Sequence, residues 1–340
     1  MKKLQQLLAV LLLLATTVGC DALRMLNDDR VVSQGLPYEL IVVCNQPEWE
    51  GALGDSLRAV LSAPIPNFQQ DEPYYDVVRI LEKDYKNLLV RHRNILRCVI
   101  NPAADSTWMA VQYDVNASPQ IVLTLQGATT ADMARYVGEN GEAIVAVLES
   151  AERDRDISYN KKYSVAALTS AVKEEFGFDM LIPNGFTMRN SLDDFMWISY
   201  EYPTASQGII IHSREATAGV VELQYDRLIE GRNRAVAQIP GPTDGTYMGT
   251  YLGIEPDHRL FRLNGRVWAE LRGFWQVEGG FMGGPFVSYS TVDDSRGEVI
   301  TLDMYIYSPK LGKRNFVRGM EHLLFSVSFD EDKEKDKEKL

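Results

Sequence analysis

The chain is poor in the residues that build reactive centres. Its 340 residues include three cysteines and four histidines. The cysteines are Cys20, Cys44 and Cys98, and none of their separations has metal or redox spacing. A chain this long can bury roughly three quarters of its unfolded surface, so it needs no disulfide framework to fold. None of His92, His212, His258 and His322 has a second histidine or a cysteine at ligand spacing on one expected element. Each reads as a surface or hydrogen-bonded residue, and no metal is expected. Also missing are the Gly-x-Ser-x-Gly elbow, the His-Glu-x-x-His helix and the Gly-x-x-x-x-Gly-Lys phosphate loop. Carboxylates are plentiful, but no pair is singled out as acid and base. No catalytic residue and no cofactor is therefore assigned. Positive charge is also scarce, 35 Lys and Arg against 47 Asp and Glu, for a net −12. Phosphates are repelled at long range, which excludes nucleic acid as a general partner.

Only one long apolar run is present. It extends from Leu7 to Ala15, behind Lys2-Lys3. A spanning helix needs roughly 20 apolar residues, so the run reads as a cleavable signal rather than an anchor. The stretch Leu14-Ala15-Thr16-Thr17-Val18-Gly19-Cys20 resembles a bacterial lipobox, with Thr17 where Leu is usual. That resemblance makes residues 1–19 a lipoprotein signal peptide and Cys20 the lipid-bearing residue, carrying acyl chains such as palmitate. An ordinary secretory signal would instead leave Cys20 a spare thiol. Cleavage removes Lys2 and Lys3 and takes the net charge from −12 to −14. The lipid bilayer is then a partner through acylated Cys20, not through surface charge. Export permits a Cys44–Cys98 disulfide, but the pair reads rather as two buried apolar thiols.

The remaining chain divides by pattern. Residues 20–36 read as a tether, 37–157 as an N-terminal α/β or α+β domain, 158–329 as a C-terminal α+β domain and 330–340 as a charged tail. Tyr38 to Cys44 reads as a buried strand, and Asn45 with Glu48 fits a helix start. Further strands are expected at Tyr74–Ile80, Asn94–Ile100, Trp108–Tyr113 and Gln120–Leu125. A long helix follows from Thr129 or Thr130 towards Asp156, and the charged run Glu152–Asp156 is the expected junction. Val165, Leu168, Val172 and Phe176 recur at helical spacing, with Gly177 as C-cap. Strands then follow at Phe195–Tyr202, Gly208–His212, Val220–Tyr225, Tyr247–Tyr251, Arg259–Leu263, Arg266–Val277, Phe286–Val292 and Val299–Tyr307. Asn264-Gly265 fits a type I′ hairpin turn, and a last helix covers about Gly312–Phe325. The fold class is α+β, two sheet-plus-helix halves with the second mainly antiparallel. With 45% apolar and 24% charged residues the composition is that of a globular protein.

Three features are candidates for binding. Gly279-Gly280-Phe281-Met282-Gly283-Gly284-Pro285 lies between two expected strands and opens no helix, so it is not a dinucleotide loop. It reads as a shaped hairpin loop that places Phe281 and Met282 on the surface. One face of the strand before it carries Trp268, Glu270, Arg272 and Phe274, a mixed aromatic and charged surface for a sugar, peptide or protein. The alternative is a face covered by the terminal helix or another strand. Arg91, Arg93 and Arg97 form a basic patch that could take an anion, or else pair with nearby carboxylates. Asp105-Ser106-Thr107 resembles the short O-glycosylation motif of exported Bacteroidetes proteins.

Val90-Arg91-His92-Arg93-Asn94-Ile95-Leu96, Arg272-Gly273-Phe274-Trp275 and Met282-Gly283-Gly284-Pro285-Phe286 resemble an uncharacterised Bacteroidetes lipoprotein family, a domain of unknown function. The resemblance covers about Leu36 to Phe329 and implies location without activity. Asp21 resembles an enterobacterial inner-membrane retention mark, but sorting in the Bacteroidetes differs and the outer membrane is the expected site. Met180-Leu181-Ile182-Pro183-Asn184-Gly185-Phe186 and the closing Ser326-Val327-Ser328-Phe329 are similar to PsbP/Mog1-like α+β sandwiches, which implies a binding or assembly module. The expectation is a lipid-anchored envelope protein that binds an envelope protein or glycan, with Trp268, Phe274, Phe281 and Met282 in contact. The alternative is an envelope hydrolase acting on glycan or peptide.

Overall fold

A computed structural model of the chain describes residues 30–66, 68 and 71–330. Cys20, the signal segment and residues 331–340 lie outside the described residues. The first half runs β1 (Glu39–Val43), α1 (Gln46–Glu50), α2 (Ala52–Leu61), β2 (Asp76–Ile80), β3 (Asn94–Ile100), β4 (Trp108–Tyr113), β5 (Ile121–Gly127) and α3 (Thr130–Tyr163). Two 3₁₀ turns, Glu82–Asp84 and Leu89–Arg91, link β2 to β3. The second half begins with α4 (Ala166–Phe176), β6 (Phe178–Asp179), β7 (Thr187–Leu192), β8 (Phe195–Glu201) and β9 (Ser206–Glu215). A 3₁₀ turn at Gly219–Leu223 leads into α5 (Tyr225–Val236). Then come β10 (Tyr247–Tyr251), β11 (Asp257–Leu263), β12 (Arg266–Glu278), β13 (Gly283–Asp293), β14 (Glu298–Tyr307), α6 (Arg314–Leu323) and β15 (Ser328–Phe329).

The first sheet has the order β2-β1-β3-β5-β4. β2, β1, β3 and β5 are parallel, and β4 is antiparallel to β5. Four of the five residues of β1 are buried, as a central parallel strand covered on both faces requires. Alternate residues divide between two cores. Leu40, Val42, Leu96, Leu123 and Leu125 meet Leu53, Leu57, Met133, Val137 and Leu148 of the helices. Ile41, Val43, Ile95 and Val122 form a smaller cluster on the other face with Ile80 and Tyr85. Helix α3 starts where Thr129 Oγ1 accepts the amide of Asp132 at 3.1 Å, a side-chain N-cap. Gly138 and Gly141 do not break it. A Cβ on Gly141 would lie 2.7 Å from Cγ2 of Val60, so that glycine permits the close approach of α2.

Antiparallel pairing builds the second sheet, in the order β10-β12-β13-β14-β9-β8-β7. Both β10 and β11 pair with the long strand β12. Helices α4 and α6 supply Val172, Phe176, Val317, Met320 and Leu323 to the core on one face. Helix α5 supplies Leu228, Ile229 and Val236 to the other. The mixed α+β class, with a mainly antiparallel second half, is as expected. Asn264 and Gly265 both have positive φ, 51° and 79°, as a type I′ turn demands, and Gly177 caps α4 at φ 75°.

Three expectations differ from the structure. The stretch Val220–Tyr225 is a 3₁₀ turn running into α5, not a strand. Its β-branched pair Val220 and Val221 is exposed, and α5 carries Arg232 where an apolar stripe would have marked it. Strand β7 was not anticipated, because no alternation marks Thr187–Leu192. The run Glu152–Asp156 is helical, and the junction expected after residue 157 falls inside α3, which continues to Tyr163. Glu152 is buried because cations meet it from two directions: Arg93 at 2.5 Å and Arg155 at 3.1 Å.

Arg232 is fully buried under α5. Its Nε donates to Asp303 Oδ2 at 2.6 Å, Nη2 to Oδ1 at 3.3 Å and Nη1 to Thr250 Oγ1 at 2.7 Å. Its guanidinium also stacks 3.5 Å from the Phe286 ring centroid. Removing one partner from such a pair leaves an uncompensated charge. Asp303→Ala is therefore expected to lower unfolding free energy by about 3–5 kcal/mol in urea titration, and Arg232→Met with Asp303→Leu to recover most of it. Equal losses in the single and paired variants would refute the assignment.

Candidate binding crevice and the clamp between the halves

Chain direction creates the first feature. From the carboxyl end of β1 the chain turns through α1 and α2 towards β2. From the carboxyl end of β3 it turns the opposite way, across β5 to β4. Between two parallel strands whose exits diverge, a crevice is left at their carboxyl ends, where open sheets bind ligands. Here it has a volume of about 280 Å³ and is lined by Val43, Cys44, Asn45, Glu48, Glu82, Arg97, Cys98, Val99 and Ile100. Helix α1 brings Glu48 to it, and the 3₁₀ turn after β2 brings Glu82. Asn45 precedes α1 without bonding its amides through the side chain, so the capping arrangement expected with Glu48 is not made.

The crevice is polar and only partly satisfied. Arg97 donates from Nη2 to Glu82 at 2.6 Å and lies 4.9 Å from the centroid of Tyr85. Its Nε is buried without a partner, as is Oε2 of Glu48. Cys44 and Cys98 are free thiols, one residue beyond the paired Val43 and Arg97 of β1 and β3. The neighbouring Cys98 thiol holds Cys44 below the usual thiol range despite burial. The Cys44 thiol, burial and the nearby carboxylates push Cys98 up.

A second cluster joins the two halves. On α3, Glu149, Glu152 and Asp156 fall along one stripe facing α6 and the start of β1. His322 of α6 bonds Asp156 through Nδ1 at 2.6 Å and Glu149 through Nε2 at 2.9 Å. The Tyr38 hydroxyl donates to Glu149 at 3.0 Å. Burial opposes charging His322, but the two carboxylates outweigh it and raise its pKa to about 9. The helix is tied again at its amino end. The amides of Lys313 and Arg314 donate to Glu72 at 2.7 and 2.9 Å, and Arg314 bridges to Asp76 at 2.6 Å. Towards β12, Glu321 takes Arg272 at 2.5 Å and Arg318 at 2.8 Å. Burial disfavours the Glu321 charge, yet these two cations hold its pKa down to about 2.

The residues proposed from sequence are placed unevenly. Trp268 and Phe274 are buried, at 2% and 4% exposure, which removes them from any contact surface. The terminal helix meets the strand face at the Arg272–Glu321 bridge, and Phe329 of β15 packs beside Trp268, close to the alternative stated above. Phe281 stands fully exposed at the hairpin tip, while Met282 packs partly against the α5-side core. The glycine run is only in part a loop: Gly283 and Gly284 belong to β13, and a Cβ on Gly284 would come within 2.1 Å of the Ile306 carbonyl oxygen. The arginine patch does not gather. Arg93 pairs with Glu152 and Arg97 with Glu82, and Arg91 lies in the turn before β3. Asp105, Ser106 and Thr107 lie in the loop between β3 and β4. Among the described residues no three His, Cys, Asp or Glu side chains are grouped to hold a metal ion, and no helix is long and apolar enough to cross a membrane. Sequence reasoning missed Glu48 and Glu82 as crevice residues and Glu149, Asp156 and His322 as a cluster. Each set is assembled by strand order or helix docking, and no spacing along the chain marks either.

Fold and site together define an α+β protein with two large sheets, a two-stranded pair of β6 and β15, and a small crevice at a parallel strand junction. Residues 165–326 match a family described as a domain of unknown function (DUF4837), and residues 33–161 match a second domain of unknown function (DUF8532). No curated protein matches the chain. Among solved structures it is similar to LpqN of Mycobacterium tuberculosis, which is involved in cell envelope biogenesis, at 12% identity. That likeness covers 44% of this chain and 83% of the other with a TM-score of 0.27, too slight to bear on fold or function.

The clamp predicts a pH dependence. His322 titrates near 9 when folded against about 6.5 when unfolded. Its contribution is present in full below pH ~6.5 and is lost as pH rises through about 9, on the order of 2–3 kcal/mol. Urea unfolding from pH 6 to 10 should show this loss in the native chain but not in His322→Gln. Parallel profiles for the two chains would exclude it.

Proposed function

We propose that this is a lipid-anchored protein of the bacterial cell envelope, held on the outer membrane by acylated Cys20, that binds a ligand or partner without transforming it. The anchor reading rests on Lys2-Lys3, the short apolar run and Thr17 to Cys20. The resemblance to a Bacteroidetes lipoprotein family and the weaker one to PsbP/Mog1-like modules agree with it. The two halves are read as two domains, and the clamp holds them together.

The observation that carries the binding reading is the crevice, where a carboxylate oxygen of Glu48 and Nε of Arg97 are buried without partners. Buried polar atoms are normally bonded, so both suit a small polar ligand carrying a donor and an acceptor. Phe281 favours a second contact, with a protein, because a fully exposed aromatic at a hairpin tip gains from burial. A histidine serving the hydrolase alternative as general base must be unprotonated and reachable. In the His322 cluster the imidazole is charged at neutral pH and only 3% exposed, so this cluster does not supply one.

Two measurements test the proposal. Metabolic labelling with palmitate should mark the native chain and leave Cys20→Ala unlabelled; equal labelling would remove the anchor. Mild crosslinking and pull-down from native envelopes, through a tag after Leu340, should retain a small molecule or one dominant protein. Glu48→Gln with Arg97→Ala should release the small molecule, and Phe281→Ser with Met282→Ser the protein. Retention of both by both variants would sink the site assignments, and captured glycan or peptide cleavage products would favour the hydrolase.

A further inference from the structure

The last paired residues of the parallel strands β1 and β3 are Val43 and Arg97. The next step along each strand brings Cys44 beside Cys98, both on the helix-facing side of the sheet with Val42 and Leu96. Neighbouring strands lie roughly 4.7–4.9 Å apart. That spacing falls within the about 4.4–6.8 Å between Cα atoms that a disulfide spans. Both thiols line the same crevice. Cys44 is buried behind the crevice and Cys98 is partly exposed to it. Two adjacent thiols, one reachable, at the mouth of a polar crevice form a dithiol site rather than two inert core residues.

We infer that Cys44 and Cys98 are a redox-active dithiol that closes to a disulfide by exchange with a disulfide-bearing oxidant. Cys98, the thiol open to the crevice, passes its proton to Cys44, the more readily ionised of the two, and attacks one sulfur of the oxidant, whose S–S bond breaks and whose second sulfur leaves as a thiolate. Cys44 then attacks the Cys98 sulfur of the mixed disulfide, and its proton passes to the departing sulfur. The protein loses two electrons and two protons, and the oxidant gains them as two thiols. Glu48 acts on both sulfurs, because its carboxylate disfavours a thiolate beside it. The inference uses the crevice of the proposed function but does not require its ligand. A chain that oxidises and binds nothing would lose the ligand reading and keep this one.

The test uses the full chain carrying Cys20→Ser, equilibrated with reduced and oxidised glutathione at a series of ratios. It is quenched in acid and read by maleimide labelling and intact mass. The expected result is two free thiols under reducing conditions, an internal Cys44–Cys98 crosslink with the loss of two hydrogen atoms under oxidising conditions, and full reversal. Cys44→Ala should trap glutathione on Cys98. Glu48→Gln should speed oxidation several-fold at neutral pH with an unchanged circular dichroism spectrum. Thiols that stay reduced in the native chain under oxidised glutathione, yet pair once it is unfolded, would overturn the inference. So would crosslinks found only between chains.

Discussion

The structure depends on how α6 is held. This ten-residue helix places Arg314, Arg318, Glu321 and His322 where water is excluded. Isolated charges there would be costly, and the cost is offset only by well-placed partners. The partners come from both sides: Glu72, Asp76, Glu149 and Asp156 from the first half, Arg272 from the second. Neither half alone satisfies the helix. A chain that folds one half without docking the other leaves a histidine and several arginines beside unpaired carboxylates. The same docking covers Trp268 and Arg272 of β12, so the clamp also decides which face of the second sheet is surface.

That dependence explains why the apparent binding strand is core while the crevice stays open. The mixed face of β12 looked amphipathic because its charged residues serve helix α6 and not solvent. By contrast, the carboxyl ends of β1 and β3 are left open because the chain leaves them in opposite directions. No side chain needs to be arranged to make this opening; connectivity makes it. Side chains determine what it holds. Glu48, Glu82 and Arg97 give it charge of both signs, and the one formed bridge, Arg97 to Glu82, leaves Glu48 for a ligand.

How much of this could be read from sequence follows from the range of the interaction concerned. Local patterns were legible. Strands β3, β4 and β10 have the ends expected, Thr129 starts α3, and Asn264-Gly265 turns the hairpin, because propensity, capping and positive φ act over a few residues. Helix α5 was not legible. Its inner face is organised around Arg232, and an arginine in the core reads as polar until Asp303, Thr250 and Phe286 surround it. Cys44 and Cys98 were visible as two strand cysteines, but their adjacency required knowing that β1 lies beside β3. Glu152 read as linker charge because Arg93 and Asn94, which bury it, lie nearly sixty residues away. Long-range partners thus explain both the helix that was missed and the buried Glu152 that read as linker charge.

The distribution of charge gives the last argument. Many cations are matched internally: Arg93 and Arg155 to Glu152, Arg214 and Arg227 to Glu222, Arg232 to Asp303, Arg272 and Arg318 to Glu321. These seven arginines face four carboxylates, so the carboxylates behind the net −12 lie elsewhere on the chain. A chain with that excess is repelled by anionic headgroups over roughly a Debye length, about 8–10 Å at physiological salt. On the proposed reading the acyl chains on Cys20 must then supply the whole attraction to the bilayer. The tether expected to reach residue 36 is shorter than that, because the amides of Ser33 and Gln34 already donate to the carbonyls of Ser118 and Arg91 in the folded body. A body held off the membrane leaves both the crevice and the Phe281 tip free to meet partners.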